Sequence, residues 1–300
     1  MGVEDNFQSW LSGVPYELAF WNNLYRWDRT FDGVLNCWSR LGREIQLEGM
    51  DARQFLSAHD NPVVLDVGCG MTFANGDMLR TAQGLKKLNV RYIDPLAVFY
   101  REIKHRHHRD VPDVEFGMME NLTVTVEPNT ATLVIIQNAL DHSAHPLQGV
   151  LSALDALHVG GCLYLHHHPN EAETEHYKGF HKFNICLNDR NQFVIWNKEE
   201  RIIVDDVIAP FATIESHTLD NGYIVSLLRK TAPLNPPLPK PSAECLEVMQ
   251  MLSGQRPMGR SFSATLKFKL RYGWYNAIQF FVQALSYEDR MRLRRLLYRS

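Results

Sequence analysis

Val63-Val64-Leu65-Asp66-Val67-Gly68-Cys69-Gly70 is a short apolar run that stops on two glycines. A run of this length ended by turn residues reads as a buried strand. Glycine is needed where backbone passes so close to a ligand that any Cβ would collide with it. In open parallel sheets, ligands bind beyond the carboxyl ends of the strands, near the point where strand order reverses. An acid ending the next strand then takes ribose hydroxyls, and Asp94 stands in that place. The dinucleotide fingerprint wants a third glycine where this chain has Phe73, which disfavours a nicotinamide cofactor.

Working outward, residues 71–88 read as a helix, 90–93 as a second strand and 96–108 as a helix. Residues 114–118 and 132–137 read as strands, 146–157 as a helix, Gly160-Gly161 as a turn and 162–166 as a fifth strand. Further strands are expected at 202–204, 212–215 and 223–228, the last two as an antiparallel edge pair. Strands alternating with helices imply a parallel sheet covered on both faces. The expected fold is therefore α/β, a Rossmann-like seven-stranded mostly parallel sheet with helices on both faces. An N-terminal helical cap (1–58) precedes the main domain (59–230), which carries an insertion (169–200). Five prolines in 231–241 make 231–242 an extended linker. Beyond it, 243–252 and 274–297 read as helices of a C-terminal helical extension, 243–300.

The first forty residues carry Trp10, Phe20, Trp21, Tyr25, Trp27, Phe31 and Trp38, partly at helical spacing. They read as a helix packed on the core, or as a lid over a site. No apolar run approaches the roughly 18 residues that span a bilayer. The polar, acidic N-terminus does not read as a secretory leader. Five scattered cysteines give neither a disulfide framework nor a metal cluster, so a reducing, cytoplasmic setting is expected. The net charge of −3 conceals an asymmetry, because ten Lys or Arg face two acids from residue 256 onward. A basic tail on an acidic body points to a polyanion or membrane surface as the tail's partner.

The chain resembles class I S-adenosylmethionine-dependent methyltransferases, and more narrowly bacterial ones encoded beside polysaccharide-assembly glycosyltransferases. The segments that carry the resemblance are Glu17-Leu18-Ala19-Phe20-Trp21, Leu65 to Gly70, Ile93-Asp94-Pro95-Leu96-Ala97 and Asn138-Ala139-Leu140-Asp141-His142. The stretch from His168 to Asn184 adds to them, and the similarity spans roughly residues 10 to 230. The resemblance implies S-adenosyl-L-methionine as cofactor. Gly68, Cys69 and Gly70 would then border it, Asp66 would support the amino group, and Asp94 would hold the ribose. Met119 and Glu120 would line the adenine, and Asn138 would close the methionine side. It also implies a carbohydrate acceptor, such as a sugar of a surface polysaccharide or lipid-linked glycan. A small-molecule acceptor, or an inactive methyltransferase fold that only binds, are the alternatives.

Methyl transfer to a hydroxyl needs a positioned acceptor and a base for its proton. His142 is the first candidate base, with Asp141 orienting it, and His181 is the second. Asp-His-Ser at a strand end could equally cap the next helix. The histidines and acids of the insertion read as solvated loop residues, so no metal ligands are assigned; a magnesium site including Asp141 is the alternative. Aromatics of the insertion suit sugar recognition or core packing alike. The tail suits contact with an anionic membrane, or packing on the domain or on a second copy, and no nucleic acid is expected.

Overall fold

The computed structural model describes residues 4–27, 39–285 and 289. Phe31, Trp38 and the arginines from Arg290 onward lie outside the described residues, as does the last part of the helix expected at 274–297. The chain begins with α1 (Glu4–Leu11) and α2 (Val14–Trp27), followed by α3 (Ala52–Ser57) and β1 (Val63–Val67). Then come β2 (Met78–Thr81), β3 (Gly84–Lys87), β4 (Asn89–Asp94), α4 (Ala97–Arg106) and β5 (Glu115–Phe116). A 3-10 segment (Met119–Val124) leads to β6 (Ala131–Gln137), α5 (Pro146–Ala156) and β7 (Leu157–His167). The insertion forms α6 (Glu171–Thr174), β8 (Asn184–Leu187), β9 (Phe193–Trp196) and β10 (Arg201–Ile203). Last are α7 (Val204–Ile208), β11 (Ala212–Asp220), β12 (Tyr223–Lys230), α8 (Ala243–Leu252) and α9 (Phe262–Ala284).

The main sheet has the order β11-β12-β7-β6-β1-β4-β5. β1 pairs in parallel with both β4 and β6, and β6 with β7, whereas β12 runs antiparallel between β7 and β11. Side chains alternate across a strand. That alternation sends Leu65, Val134, Ile136, Leu163 and Leu165 to one face and Val64, Leu133, Ile135, Cys162 and Tyr164 to the other. Both sets are buried, because α5 and α7 cover the first face while α3 and the segment around Ile45 and Leu47 cover the second. The result is the expected Rossmann-like, mostly parallel seven-stranded sheet, with the antiparallel edge pair in place. The order reverses on either side of β1, so the switch point lies between β1 and β6.

Four expectations need correction. Residues 71–88 form no helix; they make a loop and the antiparallel hairpin β2–β3. Gly76 has φ +88°, and a Cβ there would sit 2.7 Å from the Glu44 carbonyl oxygen, so another chain segment crosses where a helix would run. Ile45 N donates to Met78 O, and Asp77 accepts from Gly42 N, which ties that crossing segment to the hairpin. Gly160 and Gly161 do not end a strand; they lie inside β7, where the register against β6 shifts. Finally, β10 belongs to a separate three-stranded sheet, β10-β9-β8, built by the insertion. Phe183, Ile185, Phe193 and Ile195 from this insertion join the main core. The C-terminal helix also starts earlier than expected, at Phe262, and packs on α2.

Lys230, at the end of β12, is 1% exposed and donates to Asn129 Oδ1, Leu157 O and Asp155 O. All three ammonium protons are engaged, so the buried charge closes the β7–β12 end of the sheet. Replacing it by Met keeps the volume and strands three acceptors. Lys230→Met should cost about 2–3 kcal/mol, read as a lowered urea midpoint at unchanged slope.

Candidate functional site

The turn after β1 is held by its neighbours. Gly68 N donates to Ile93 O at 2.8 Å, and Gly70 N donates to Asp94 Oδ2 at 3.1 Å. The other oxygen of Asp94 accepts from Leu96 N at 2.8 Å, which fixes the start of α4. Gly68 and Gly70 both have positive φ, 67° and 53°. A Cβ on Gly68 would lie 2.5 Å from the Ala139 Cβ, and one on Gly70 would lie 2.6 Å from the ring of Trp21. The loops after β1 and β6 therefore touch at the switch point, and an indole from α2 stands over the glycine turn.

Trp21 is held there by its own helix, since its Nε1 donates to Glu17 Oε1 at 2.6 Å. Glu17, Asp66 and Asp94 gather around this turn. Burial pushes the Glu17 and Asp66 carboxyls up to about 7 and Asp94 up to about 6. Asp94 adds to the rise at both of the others, while hydrogen bonds from Trp21, Asn75 and the amides of Leu96 and Gly70 offset part of it. Buried acids that perturb one another are suited to a cationic partner. A glycine cradle, an acid at the end of β4 and surplus negative charge fit S-adenosylmethionine, which carries a sulfonium and an ammonium group. The indole over Gly70 must move aside for a ligand to rest on that backbone.

The other expected cofactor residues are placed as follows. Asp66 accepts from Asn75 Nδ2 at 3.2 Å, and Cys69 is buried beside it in the turn. Met119 packs against Gly68 and Gly149. Glu120 uses one carboxylate oxygen to accept the amides of Ala144 and His145, so it holds the loop before α5. Asn138, at φ +46°, donates its amide to His166 O and accepts His168 N on its side chain, joining the ends of β6 and β7.

Asp141, His142 and His181 do come together. His181 Nδ1 lies 3.0 Å from Asp141 Oδ2 and 3.1 Å from His142 Nε2, and His142 Nε2 lies 3.5 Å from the same oxygen. Burial and the neighbouring His181 take His142 down to about 4, although Asp141 opposes the shift. Burial would lower His181 too, yet its bond to Asp141 outweighs this and raises it. Burial would raise Asp141, but His142 and His181 hold it below the usual carboxylate range. His167, at the end of β7, is 1% exposed with no partner on either ring nitrogen. Trp10 Nε1 donates to His142 O at 2.7 Å, and Trp10 stacks on Phe180 at 4.8 Å.

Sequence reasoning gave Glu17 no role of its own at the site. The signal for it was Glu17 and Trp21 at helical spacing of four, with the carboxylate placed to accept the indole N–H. The packing reading of the N-terminal aromatics holds for α2, whose Trp21 also lies against the glycine turn. Among the insertion's aromatics, Phe180, Phe183 and Phe193 are buried, which places them in packing.

No protein-family model matches the chain, and no curated protein does. Among solved structures, it is similar to a T. thermophilus 16S rRNA N2 G1207 methyltransferase (RsmC) in complex with AdoMet and guanosine, at 14% identity and TM-score 0.33. That match covers 66% of this chain and only 43% of the rRNA enzyme. It is also similar to the trans-methyltransferase CalH in complex with SAH, at 12% identity and TM-score 0.42 over 60% of this chain and 54% of that one. A Listeria monocytogenes putative S-adenosylmethionine-dependent methyltransferase matches at 14% identity and TM-score 0.36, over 57% and 91%.

The buried acids make stability depend on pH. An unfolded Asp titrates near 3.9, whereas folded Asp66 titrates at about 7. The folded state thus keeps a proton that the unfolded chain has lost, so Asp66's stabilising contribution is complete below about pH 4 and fades as pH rises to about 7. Asp66→Asn retains an oxygen for Asn75 and removes this loss. Its melting temperature should match the parent at pH 4 and exceed it by several degrees at pH 8; a pH-independent difference would contradict the assignment.

Proposed function

We propose that the chain is an S-adenosylmethionine-dependent O-methyltransferase. The observation that carries this reading is the convergence, at the carboxyl ends of adjacent strands, of the Gly68–Gly70 turn, Asp94 and the Asp141–His142–His181 cluster. Glu17 is near enough to Asp94, Asp141 and His181 for each to shift its titration. The bound cofactor supplies a methyl group on sulfonium for in-line displacement. Asp94 would receive ribose hydroxyls, Gly68 and Gly70 would let the backbone approach, and Asp66 with Glu17 would face positive charge. The Asp141–His142–His181 cluster would hold the acceptor hydroxyl and take up its proton. The acceptor we propose is a sugar hydroxyl, on the resemblance of the sequence segments. A small-molecule acceptor is the nearest rival.

A second reading is a methyltransferase fold that binds without turnover. It is favoured by one arrangement, the engagement of both Asp94 oxygens by backbone amides beneath the Trp21 ring. Calorimetry with S-adenosylmethionine, followed by transfer of labelled methyl to a panel of sugars, sugar nucleotides and lipid-linked glycans, separates the two. Asp94→Asn should weaken cofactor binding roughly tenfold or more, a loss of at least about 1.4 kcal/mol. His142→Ala and His181→Ala should keep binding and lose turnover. Absence of binding in the parent chain would sink the enzyme reading.

The C-terminal extension is proposed to rest on an anionic membrane surface. Phe262, Leu266, Leu270, Trp274, Ile278 and Phe281 are all exposed along one side of α9, with Phe262 at 85% and Phe281 at 70%. Lys267, Lys269 and Arg271 flank the stripe, and the helix has no acid. Basic residues beside an apolar helix face suit an interfacial position, and no helix among the described residues is long and apolar enough to cross a membrane. Leu270→Glu with Trp274→Glu should abolish sedimentation with phosphatidylserine vesicles and leave the melting temperature nearly unchanged. Equal sedimentation of both proteins would remove the membrane from consideration.

A further inference from the structure

We propose that Asp141, His142 and His181 form a binding site for a divalent transition-metal ion, zinc being the first choice. Asp141 Oδ2, His142 Nε2 and His181 Nδ1 stand 3.0, 3.1 and 3.5 Å apart. Ligand atoms about 2.0–2.1 Å from a tetrahedral zinc are separated by about 3.3 Å. The triangle in this protein therefore has the dimensions of one face of such a polyhedron, with an ion seated just off its plane. Two imidazole nitrogens and one carboxylate oxygen suit zinc, cobalt, iron or nickel and disfavour magnesium, which prefers oxygen.

Hydrogen bonding alone accounts poorly for the cluster. A neutral imidazole nitrogen either carries its one proton or presents a lone pair. His181 Nδ1 can direct a proton to Asp141 or to His142, not fully to both. Whichever it chooses, a third close polar contact remains weakly satisfied, whereas one cation satisfies all three atoms together. A second observation points the same way, because Asp141 Oδ1 is buried without a partner, although Asp141 is only 3% exposed. That oxygen is free to make the carboxylate bidentate. Buried polar atoms without partners are rare and signal a missing ligand or ion.

The surroundings also serve a metal. Side chains of His142 and His181 remain 27% and 21% exposed, so an ion has a path in and an open coordination position can take water or an acceptor oxygen. Trp10 fixes the His142 backbone through its indole N–H, and Phe180 lies against the His142 ring. Ligands are thereby held in place by groups that do not themselves bind the ion. Ion binding is independent of methyl transfer and goes beyond the reading of the site as an acid–base group. With the ion bound, both inward nitrogens are ligands, so only the ion-free cluster offers them as proton acceptors.

The test is metal content and affinity of the full chain. The chelator-stripped protein, titrated with zinc against a chromophoric competitor, should bind one equivalent, and cobalt(II) should give the intense visible absorption of a low-coordinate site. His181→Ala and Asp141→Asn should each weaken zinc roughly 100-fold or more and flatten the cobalt spectrum, with circular dichroism confirming the fold. His105→Ala, on the solvent side of α4, should bind as the parent does. Less than a tenth of an equivalent of zinc, or one equivalent untouched by both variants, would overturn the site. Calorimetry with S-adenosylmethionine on the stripped protein reads the methyltransferase proposal separately, so either can fail alone.

Discussion

The carboxylate of Asp94 is shared between two backbone amides on different segments, Gly70 and Leu96, and this sharing sets where the β1 turn lies relative to the start of α4. Hydrogen bonds from amides to a carboxylate are charge-assisted and stronger than neutral ones. They must offset the cost of burying the acid, and they do so only partly, since Asp94 still titrates near 6. On the proposed reading, that compromise is what suits the turn to a cationic ligand. A carboxylate fully compensated by the protein would have little left for a ligand, and an uncompensated one would take up a proton.

The same reasoning extends to the whole crevice. Glu17, Asp66 and Asp94 bring three carboxyl groups together near the glycine turn, and burial raises every one of them. Folding accepts this cost in a region where hydrophobic residues would have packed at no such penalty. Across the switch point, the Asp141 cluster solves its electrostatics differently, with histidines around one acid. The protein thus gathers three mutually perturbing acids on one side of the switch point and two imidazoles around one acid on the other.

Much of this was legible in the chain. Gly68, Gly70 and Asp94 announced the turn and its acid because strand, glycine and acid each answer to local geometry. Asp141, His142 and His181 were also named, although His181 comes from an insertion 39 residues away and only the tertiary fold could bring its ring to 3.1 Å from His142. The helix expected at 71–88 failed for a reason outside that stretch. Leu85 and Leu88 stand at helical spacing, yet the decision fell to the 40–47 segment crossing Gly76. Gly160-Gly161 misled because two glycines mark a turn and a strand irregularity alike. The position of Trp21 over Gly70 was illegible, because it depends on how α2 is held from the far end of the chain.

The far end of the chain contributes to that hold through Asn276 on α9, which accepts from Asn22 at 2.7 Å and from Asn23 at 2.9 Å across 254 and 253 residues of sequence. Contacts so distant in sequence form late, after the closure of a very long loop. During synthesis the sheet and the glycine turn can be complete while residue 276 is still inside the ribosome. Until that residue emerges, α2 relies on contacts such as those with Met71, Arg106 and Arg109 to hold Trp21 over the glycine turn.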